Sequence, residues 1–290
     1  MTRDARYVPF FRRQSVQRRM SKVAGYIMLT VLSLCFISPF LWSFKSSFQT
    51  IDEVYKYPPT LKLTGLRLDN YKTVMTVLPF GRFILNSFLV ATYSVFGQVL
   101  TASLVAYSFA RLRWRGRDVW FVVMLSTMML PAQVTMIPHY QIFRFLGWID
   151  TLRPLIIPSF FGGGAFFIFL MRQFFKTIPV ELEEAARLDG CSNLRIFWDI
   201  MLPLSGPAIA TVCVLSFISH WQNFIGPLIY LNSFEKYTIA IGLSMFQDMY
   251  GGYPHYLLAA SNIALLPVLT LFAVAQKYFV QGIVLTGLKE

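Results

Sequence analysis

The sequence predicts an all-α membrane protein with six transmembrane helices, and three observations lead to this fold class. Of the 290 residues, 56% are hydrophobic and only 14% are charged, whereas soluble domains carry roughly 25% charged residues. Six apolar segments are about as long as the ~20 helical residues that a hydrocarbon core requires. None of these segments contains Asp, Glu, Lys or Arg, which a soluble fold with alternating core and surface positions could not achieve.

The predicted crossings lie between a basic N-terminal segment and a short tail. Residues 1–23 form the cytoplasmic N-terminus, 24–280 the transmembrane domain and 281–290 a cytoplasmic tail. Lys and Arg are concentrated at the N-terminus and after the second, fourth and sixth spans, so the positive-inside rule places both termini in the cytoplasm. No A-x-A-like cleavage pattern follows the first span, and we expect it to remain as a helix. The predicted spans are residues 24–44, 84–109, 119–138, 154–171, 206–231 and 257–276.

Several predicted spans contain residues that interrupt helices. Membrane helices tolerate them because neighbouring helices and side chains satisfy the freed backbone groups. Two interpretations stay open, namely kinks that serve packing and points of flexure in a transport pathway. The interrupting residues are Pro39, Pro131, Pro227, Pro267 and the run Gly162-Gly163-Gly164.

Composition and motifs exclude several classes of function. The net charge of +12 does not indicate nucleic-acid binding, because the basic residues adjoin apolar segments, where they set topology and contact anionic lipid. Cys35, Cys191 and Cys213 form no CxxC pair, so we expect neither a disulfide framework nor a metal site. The chain lacks a P-loop, an H-E-x-x-H and a G-x-S-x-G motif. We therefore expect no catalytic residue and no cofactor in this chain.

The longest polar segment between the cytoplasmic ends of two spans is residues 176–205, which we call the hairpin. Three acids at Glu181, Glu183 and Glu184 complement the N-terminal dipole of a helix that Pro179 can begin and Gly190 can end. Glu183 and Arg187 are spaced as an i,i+4 ion pair, and Ser192 or Asn193 can cap a second helix. The pattern predicts a short helix, a tight turn and another short helix on the cytoplasmic side.

The composition of the hairpin is typical of a docking element. Ala185 and Ala186 offer a small-residue face that another protein can approach closely, and apolar residues provide anchors. An interfacial helix lying on lipid is the alternative. The acid-rich first helix argues against it, because the inner leaflet is itself anionic. The apolar anchors are Leu182, Leu188, Ile196, Phe197 and Ile200.

The same segment resembles a known family. Glu184-Ala185-Ala186, Gly190, Ile200 and Leu202-Pro203 match every defined position of E-A-A-x3-G-x9-I-x-L-P, the EAA signature of ABC-importer permeases. Asn86-Ser87, the run Trp221-Gln222-Asn223-Phe224 and the segment 276–282 are similar to the carbohydrate-uptake branch. Within that branch the chain resembles the maltose-type G permease subunit over nearly its whole length. Gln222-Asn223 departs from relatives that carry Asn and an acid after the Trp.

The resemblance implies a type I ABC-importer permease in a bacterial or archaeal plasma (inner) membrane. It implies a second homologous permease, a dimer of ATPase subunits that bind ATP and Mg, and an extracytoplasmic solute-binding protein. The hairpin would dock on an ATPase subunit and couple hydrolysis to movement of the spans, and the tail 281–290 is a second candidate for ATPase contact. The coupling residues that the resemblance implies are Leu182, Glu184, Ala185, Ala186, Leu188, Asp189, Gly190, Phe197, Ile200, Leu202 and Pro203.

The solute that the resemblance implies is a sugar or a sugar-like molecule, and candidate contacts are polar or aromatic residues at membrane depth. Buried amides also tie helices together, so each candidate has a structural alternative. The outer segments 45–82 and 232–256 are long enough to receive the binding protein. An ion-coupled secondary transporter or channel is the alternative function, but its spans would carry ionisable groups. The candidate contacts are Asn86, Gln98, Gln133, His220, Trp221, Asn223 and Asn262.

Overall fold

The structure, a computed structural model, describes residues 10–59, 65–249 and 253–287. All regular secondary structure in these ranges is helical, in agreement with the all-α prediction. Short 3₁₀ turns at Thr127–Met129, Ile157–Phe160 and Phe234–Lys236 and a π-helical turn at Phe197–Met201 connect several of the helices. The α-helices are α1 (Phe10–Ser46), α2 (Ile51–Val54), α3 (Asp69–Val77), α4 (Phe80–Arg111), α5 (Arg117–Ser126), α6 (Ala132–Phe145), α7 (Arg153–Ile156), α8 (Ala165–Thr177), α9 (Glu181–Leu188), α10 (Asn193–Ile196), α11 (Leu202–Leu204), α12 (Gly206–Trp221), α13 (Ile225–Tyr230), α14 (Ile239–Met249) and α15 (Pro254–Gly287).

Four helical segments among the described residues are long and apolar enough to cross a membrane, and two bent pairs pass the same test together. If each bent pair is one span, the chain has six crossings, as the sequence predicts. The orientation of the termini stays a prediction from the distribution of Lys and Arg. The four segments are Arg19–Ser46, Phe80–Arg111, Arg153–Thr177 and Pro254–Lys277, and the bent pairs are Arg117–Met129 with Ala132–Phe145 and Asn193–Leu204 with Gly206–Trp221.

The third predicted span is not one straight helix. Its two halves meet at 97°, and the break lies at Leu130 and Pro131. Leu130 has an extended backbone (φ −77°, ψ 120°), as expected for a residue whose αR conformation is disfavoured by a following proline. Hydropathy reports the cost of placing these residues in lipid, whereas the proline determines the direction of the chain.

The fourth span contains a break at its three consecutive glycines. Gly162, Gly163 and Gly164 all have positive φ, at 91°, 65° and 79°, a region that L-residues with a side chain rarely adopt. Gly163 also lies against α4, because a Cβ built on it would be only 2.5 Å from the backbone nitrogen of Ala102. The glycines therefore let the chain turn into α8 while the backbone approaches α4 closely.

The fifth predicted span, 206–231, ends its first helix early. α12 stops at Trp221, and the carboxamide oxygen of Asn223 accepts the N–H of Gly226 at 3.1 Å as α13 begins. The preceding residues of the hairpin run into α12 through the π-helical turn and α11, with a bend of 78°. The expected single crossing is thus a sequence of short helices.

The hairpin shares its apolar core with the ends of the spanning helices. We call this set the hairpin-side core, and its packing includes a Tyr107–Phe197 ring contact with centroids 5.5 Å apart. A second core joins α3, α4, α14 and α15 at the other end of α4. The hairpin-side core contains, among its buried residues, Ala106, Tyr107, Phe109, Phe175, Ala186, Ile196, Phe197 and Met201.

Candidate functional site

The hairpin has the helix–turn–helix form that its sequence predicts. α9 ends with Gly190 at φ +80°, where the N–H of Gly190 bonds to Arg187 O at 3.0 Å and that of Cys191 to Ala186 O at 2.9 Å. This is the hydrogen-bond pattern of a Schellman motif. The Ser192 side chain then caps α10 by accepting the N–H of Arg195 at 3.3 Å. Pro179 precedes α9 and does not stand in its first turn.

One face of the hairpin is fixed to the rest of the molecule. Ala186, Ile196 and Phe197 are buried in the hairpin-side core, so the expectation that Ala185 and Ala186 share one accessible face is wrong. Successive helical residues are about 100° apart, and Ala186 turns inward while Ala185 is exposed. Ile196 and Phe197 anchor the hairpin to its own chain.

The opposite face of the hairpin is accessible. Leu188 is 90% exposed. Ile200 and Leu202 are partly buried and Phe197 is fully buried. These three predicted coupling residues therefore pack toward the rest of the chain. The predicted coupling residues on the accessible face are Leu182, Glu184, Ala185, Leu188, Asp189, Gly190 and Pro203.

Glu183 behaves differently from the sequence prediction. No ion pair joins it to Arg187 within the described residues; instead its side chain is buried, with only 3% of the residue exposed. One carboxylate oxygen of Glu183 and the Tyr107 hydroxyl are buried close to each other, in a geometry that makes no regular hydrogen bond to any described residue. The two groups lie within electrostatic reach of each other and of Arg111 and Arg187. A buried acid thus stands between the first helix of the hairpin and α4.

Two arginines connect the ends of α4 and α8 by hydrogen bonds at the point where the hairpin begins. Arg111 donates to Phe175 O at 2.6 Å and also to Ile178 O, so its charge lies at the C-terminal carbonyls of α8, where a cation is favoured. In return, Arg172 on α8 donates to Phe109 O on α4 at 3.2 Å. Its guanidinium also lies 3.9 Å from the ring centroid of Phe121. We expected the basic residues beside apolar segments to set topology and contact anionic lipid, and Arg111 in addition donates hydrogen bonds to carbonyl groups of the chain.

At the other end of the molecule, Asp150 connects two loops. Its backbone has φ +60°, its N–H bonds to Tyr230 O at 2.7 Å, and its carboxylate accepts from Lys236 Nζ at 2.8 Å and from the N–H of Ser233 at 2.8 Å. The Lys236 ammonium and the Ser233 donors hold the pKa of the Asp150 carboxyl well below its usual range. The connection between residues 146–152 and 230–236 is therefore ionic at neutral pH.

Most of the polar side chains that we considered for solute contact make hydrogen bonds inside the chain. The Asn86 carboxamide donates to Glu235 O at 2.8 Å and Tyr237 O at 3.0 Å. Gln98 accepts the Ser216 hydroxyl at 2.6 Å, and Asn262 accepts that of Ser43 at 3.3 Å.

Trp221 and Asn223 have internal partners as well. The indole N–H of Trp221 donates to Ala264 O at 3.0 Å, and Asn223 receives the N–H of Gly226. Gln133 is exposed and His220 is half-buried. Contact between any of these residues and a solute stays a prediction.

Sequence reasoning missed several residues that the structure brings together, although signals for some were present. Arg111 stands in the last turn of a long helix, where a cation commonly binds terminal carbonyls. Asp150 follows a Trp-Ile pair in a short loop and carries no motif. The described residues do not include 250–252 of the outer segment 232–256 or 288–290 of the tail 281–290, the two segments for which contacts with partner proteins were predicted.

Known proteins are similar to this chain in sequence. The family described as "Binding-protein-dependent transport system inner membrane component" matches residues 98–285. The arabinooligosaccharides transport system permease protein AraQ of Halalkalibacterium halodurans is 31% identical over 280 residues, with 94% of this chain and 100% of the relative covered. The sn-glycerol-3-phosphate transport system permease protein UgpE of Rhizobium meliloti is 32% identical over 280 residues, with 93% and 98% covered.

Solved structures show the same fold. A chain of a bacterial ABC transporter involved in the import of the acidic polysaccharide alginate superimposes with a TM-score of 0.78 at 27% identity, covering 94% of this chain and 100% of the other. A second chain, from a bacterial alginate ABC transporter in complex with an alginate pentasaccharide-bound periplasmic protein, gives a TM-score of 0.65 at 14% identity, with 89% and 94% covered. The second likeness concerns the fold alone.

Proposed function

The chain belongs to the family of binding-protein-dependent transport system inner membrane components, and from that premise we propose how it works and what it carries. It is a permease subunit of an ABC importer in the inner membrane, a transport subunit rather than an enzyme. In the proposed assembly it pairs with a second permease to enclose the solute pathway. Two separate ATPase subunits hold ATP and Mg and supply the energy.

The observation that carries the coupling proposal is the two-sided hairpin. Its inner face is packed in the hairpin-side core, while its outer face presents Leu182, Glu184, Ala185 and Leu188 to the surroundings. Apolar side chains beside a carboxylate and a small residue suit a protein cleft with a basic or polar rim. Because the inner face is fixed to helix ends, a partner that moves the outer face moves those helices with it.

The outer loops support docking of a binding protein. Residues 146–152 and 230–236 are joined through Asp150, and Asn86 ties the end of α4 to Glu235 and Tyr237. These contacts give the loops one arrangement, and pre-ordered loops lose less entropy when a partner binds. We infer that this ordered surface receives the loaded binding protein.

The proposed solute is a sugar or a sugar-like molecule. The relatives are permeases for arabinooligosaccharides and sn-glycerol 3-phosphate, and the chain with the higher structural likeness comes from an alginate importer. All three solutes carry several hydroxyl groups. The polar residues of the spans are amides and hydroxyls that can exchange hydrogen bonds with such groups.

Charge reversal on the accessible face of the hairpin tests the coupling. Glu184→Arg should leave the chain in the membrane but lower ATP-driven uptake at least tenfold and reduce the amount of ATPase that co-purifies. Asp69→Arg is the matched control for ATPase association, because Asp69 is also an exposed acid in the first turn of a helix but lies in the predicted outer segment 45–82, so the amount of co-purifying ATPase should not change. Equal uptake by wild type and Glu184→Arg would contradict the coupling role.

A further inference from the structure

Two cavities adjoin where α4, α5 and α8 meet, at the end of the molecule that carries the hairpin. The larger has a volume of about 630 Å³ and lies between α4, α5, the glycine run and α8. The smaller has a volume of about 460 Å³ and lies at the connection from α4 to α5. Trp114 lines both cavities, so together they form one groove, which we call the α5 groove.

The larger cavity is apolar. Every residue in its wall is hydrophobic or glycine apart from Thr127, whose hydroxyl already donates to Met124 O at 2.6 Å. Trp120 and Phe161 in this wall are 60% and 80% exposed, although both belong to segments apolar enough to cross a membrane. Such a wall suits an apolar chain, because a hydrated ligand would lose hydrogen bonds to water on entering it.

The smaller cavity is basic. Arg113 and Arg117 line it, and Arg115 is exposed between them. Asp118 is the one acid in its wall among the described residues. The Asp118 carboxylate accepts two hydrogen bonds from the Arg117 guanidinium, at 3.0 and 3.2 Å, and lies 3.9 Å from Arg172. The charges of Arg113 and Arg115 are therefore not matched by an acid of the wall, and the cavity attracts anions.

Two tryptophans lie where the basic and the apolar parts of the groove meet. Trp114 packs on Phe109, with ring centroids 5.7 Å apart. The Trp120 ring lies beside Gly116, since a Cβ built on that glycine would be 3.5 Å from it. Tryptophan is enriched at the level of the lipid head groups, where one end of the ring is apolar and the other is hydrated. The change from basic to apolar wall thus has the side chains of a membrane interface.

The length of the apolar part matches one leaflet of a bilayer. Along α5 and the 3₁₀ turn after it, the groove extends from Arg117 to Thr127. These residues are ten positions apart, which corresponds to about 15 Å at the helical rise of 1.5 Å per residue. Half of a ~30 Å hydrocarbon core is also about 15 Å. An acyl chain that starts at the basic cavity would therefore run through the apolar one to the middle of the membrane.

We propose that the α5 groove binds one phospholipid with an anionic head group, its phosphate at Arg113 and Arg115 and one acyl chain in the apolar cavity. By the predicted topology this end of the molecule faces the cytoplasm, and the cytoplasmic leaflet contains anionic lipid. The groove adds a fixed position for one molecule to the general attraction between basic residues and such lipid. A helix of the second permease is the alternative occupant, but it would need an acid at its end to match the arginines.

The test measures lipid binding to the complete importer in mild detergent by native mass spectrometry. The probes are phosphatidylglycerol, which is anionic, and phosphatidylethanolamine, which is zwitterionic, with the same acyl chains. Arg113→Gln with Arg115→Gln removes two exposed charges of the groove. Arg19→Gln with Lys22→Gln is the matched control, because these are exposed bases at the predicted cytoplasmic end of α1, outside the groove. Ala165→Phe fills the apolar part and leaves every charge in place.

We expect the wild type to bind one phosphatidylglycerol more tightly than phosphatidylethanolamine. The arginine variant should lower the affinity for phosphatidylglycerol at least about tenfold, because each basic residue near an anionic head group contributes to binding. Ala165→Phe should lower the affinity for both lipids, and the control pair should change neither.

Three results would overturn the proposal. Equal wild-type affinity for the two lipids, or equal losses in the arginine variant and the control pair, would show that the groove is no more selective than any basic surface. Unchanged binding in Ala165→Phe would show that no acyl chain enters the apolar part. Loss of the second permease from either groove variant would show that a protein helix occupies the groove. None of these results affects the proposed transport function, which does not depend on the lipid.

Discussion

Replacing Gly163 by alanine tests the close approach between the break in the fourth span and α4. The added methyl group would lie 2.5 Å from Ala102 N and 2.6 Å from Ala102 Cβ, distances that require the backbone to move. Overpacking of this kind typically costs about 1–3 kcal/mol. The left-handed backbone of Gly163, at φ +65°, adds about 1–2 kcal/mol for an L-residue. We expect a total destabilisation of roughly 2–5 kcal/mol.

Gly162→Ala provides the matched control. Gly162 has φ +91°, but a Cβ built there meets no atom within 4 Å, so only the backbone cost of about 1–2 kcal/mol applies. Thermal unfolding of the two purified variants in one detergent should give melting temperatures in the order wild type, Gly162→Ala, Gly163→Ala. If Gly163→Ala unfolds at the same temperature as Gly162→Ala, the two backbones are not in contact and the reasoning fails.

Two further predictions concern the hairpin turn and the outer loops. Gly190→Val should lower ATP-driven uptake more than Gly190→Asn, because the φ of +80° strains a β-branched residue but suits asparagine, and equal uptake rates would contradict this reason. The lowered pKa of Asp150 means that its ionic link stabilises the fold above about pH 4, the unfolded value, and is lost only as the pH falls through the folded value. Asp150→Asn removes the charge but keeps a residue that tolerates positive φ. The decrease in melting temperature that it causes should therefore be the same at pH 7 and at pH 5. A loss that disappears at pH 5 would show that the pKa of Asp150 is raised in the folded protein, which would contradict the ionic link.

The spans and the hairpin turn could be predicted because single residues or local averages determine them. Apolar segments without charge fold as helices in lipid, since only internal hydrogen bonding satisfies the backbone there. Gly190 marks the end of α9 because few other residues adopt its φ of +80°. The spans and this turn depend only on residues that are close together in the sequence, so the sequence alone is enough to predict them.

The directions of the chain within the spans could not be predicted in the same way. Pro131 indicated a break, but its size of 97° depends on the helices that pack against each side. The inward turn of Glu183 was missed because an i,i+4 spacing to Arg187 is equally compatible with a pair on the surface.

The buried groups at the base of the hairpin explain how a docking element can act on a pathway several turns away. A loop joined to the spans only by its ends would bend when a partner pulled on it. Here Arg111 bonds to the carbonyls that precede the hairpin, Arg172 bonds back to α4, and Glu183 brings a buried carboxylate beside Tyr107. Separating either arginine from its carbonyl partner would leave a guanidinium without hydrogen-bond acceptors, so these bonds favour joint movement of the helices. In the proposed importer we therefore expect α4, α8 and the hairpin to move as one body.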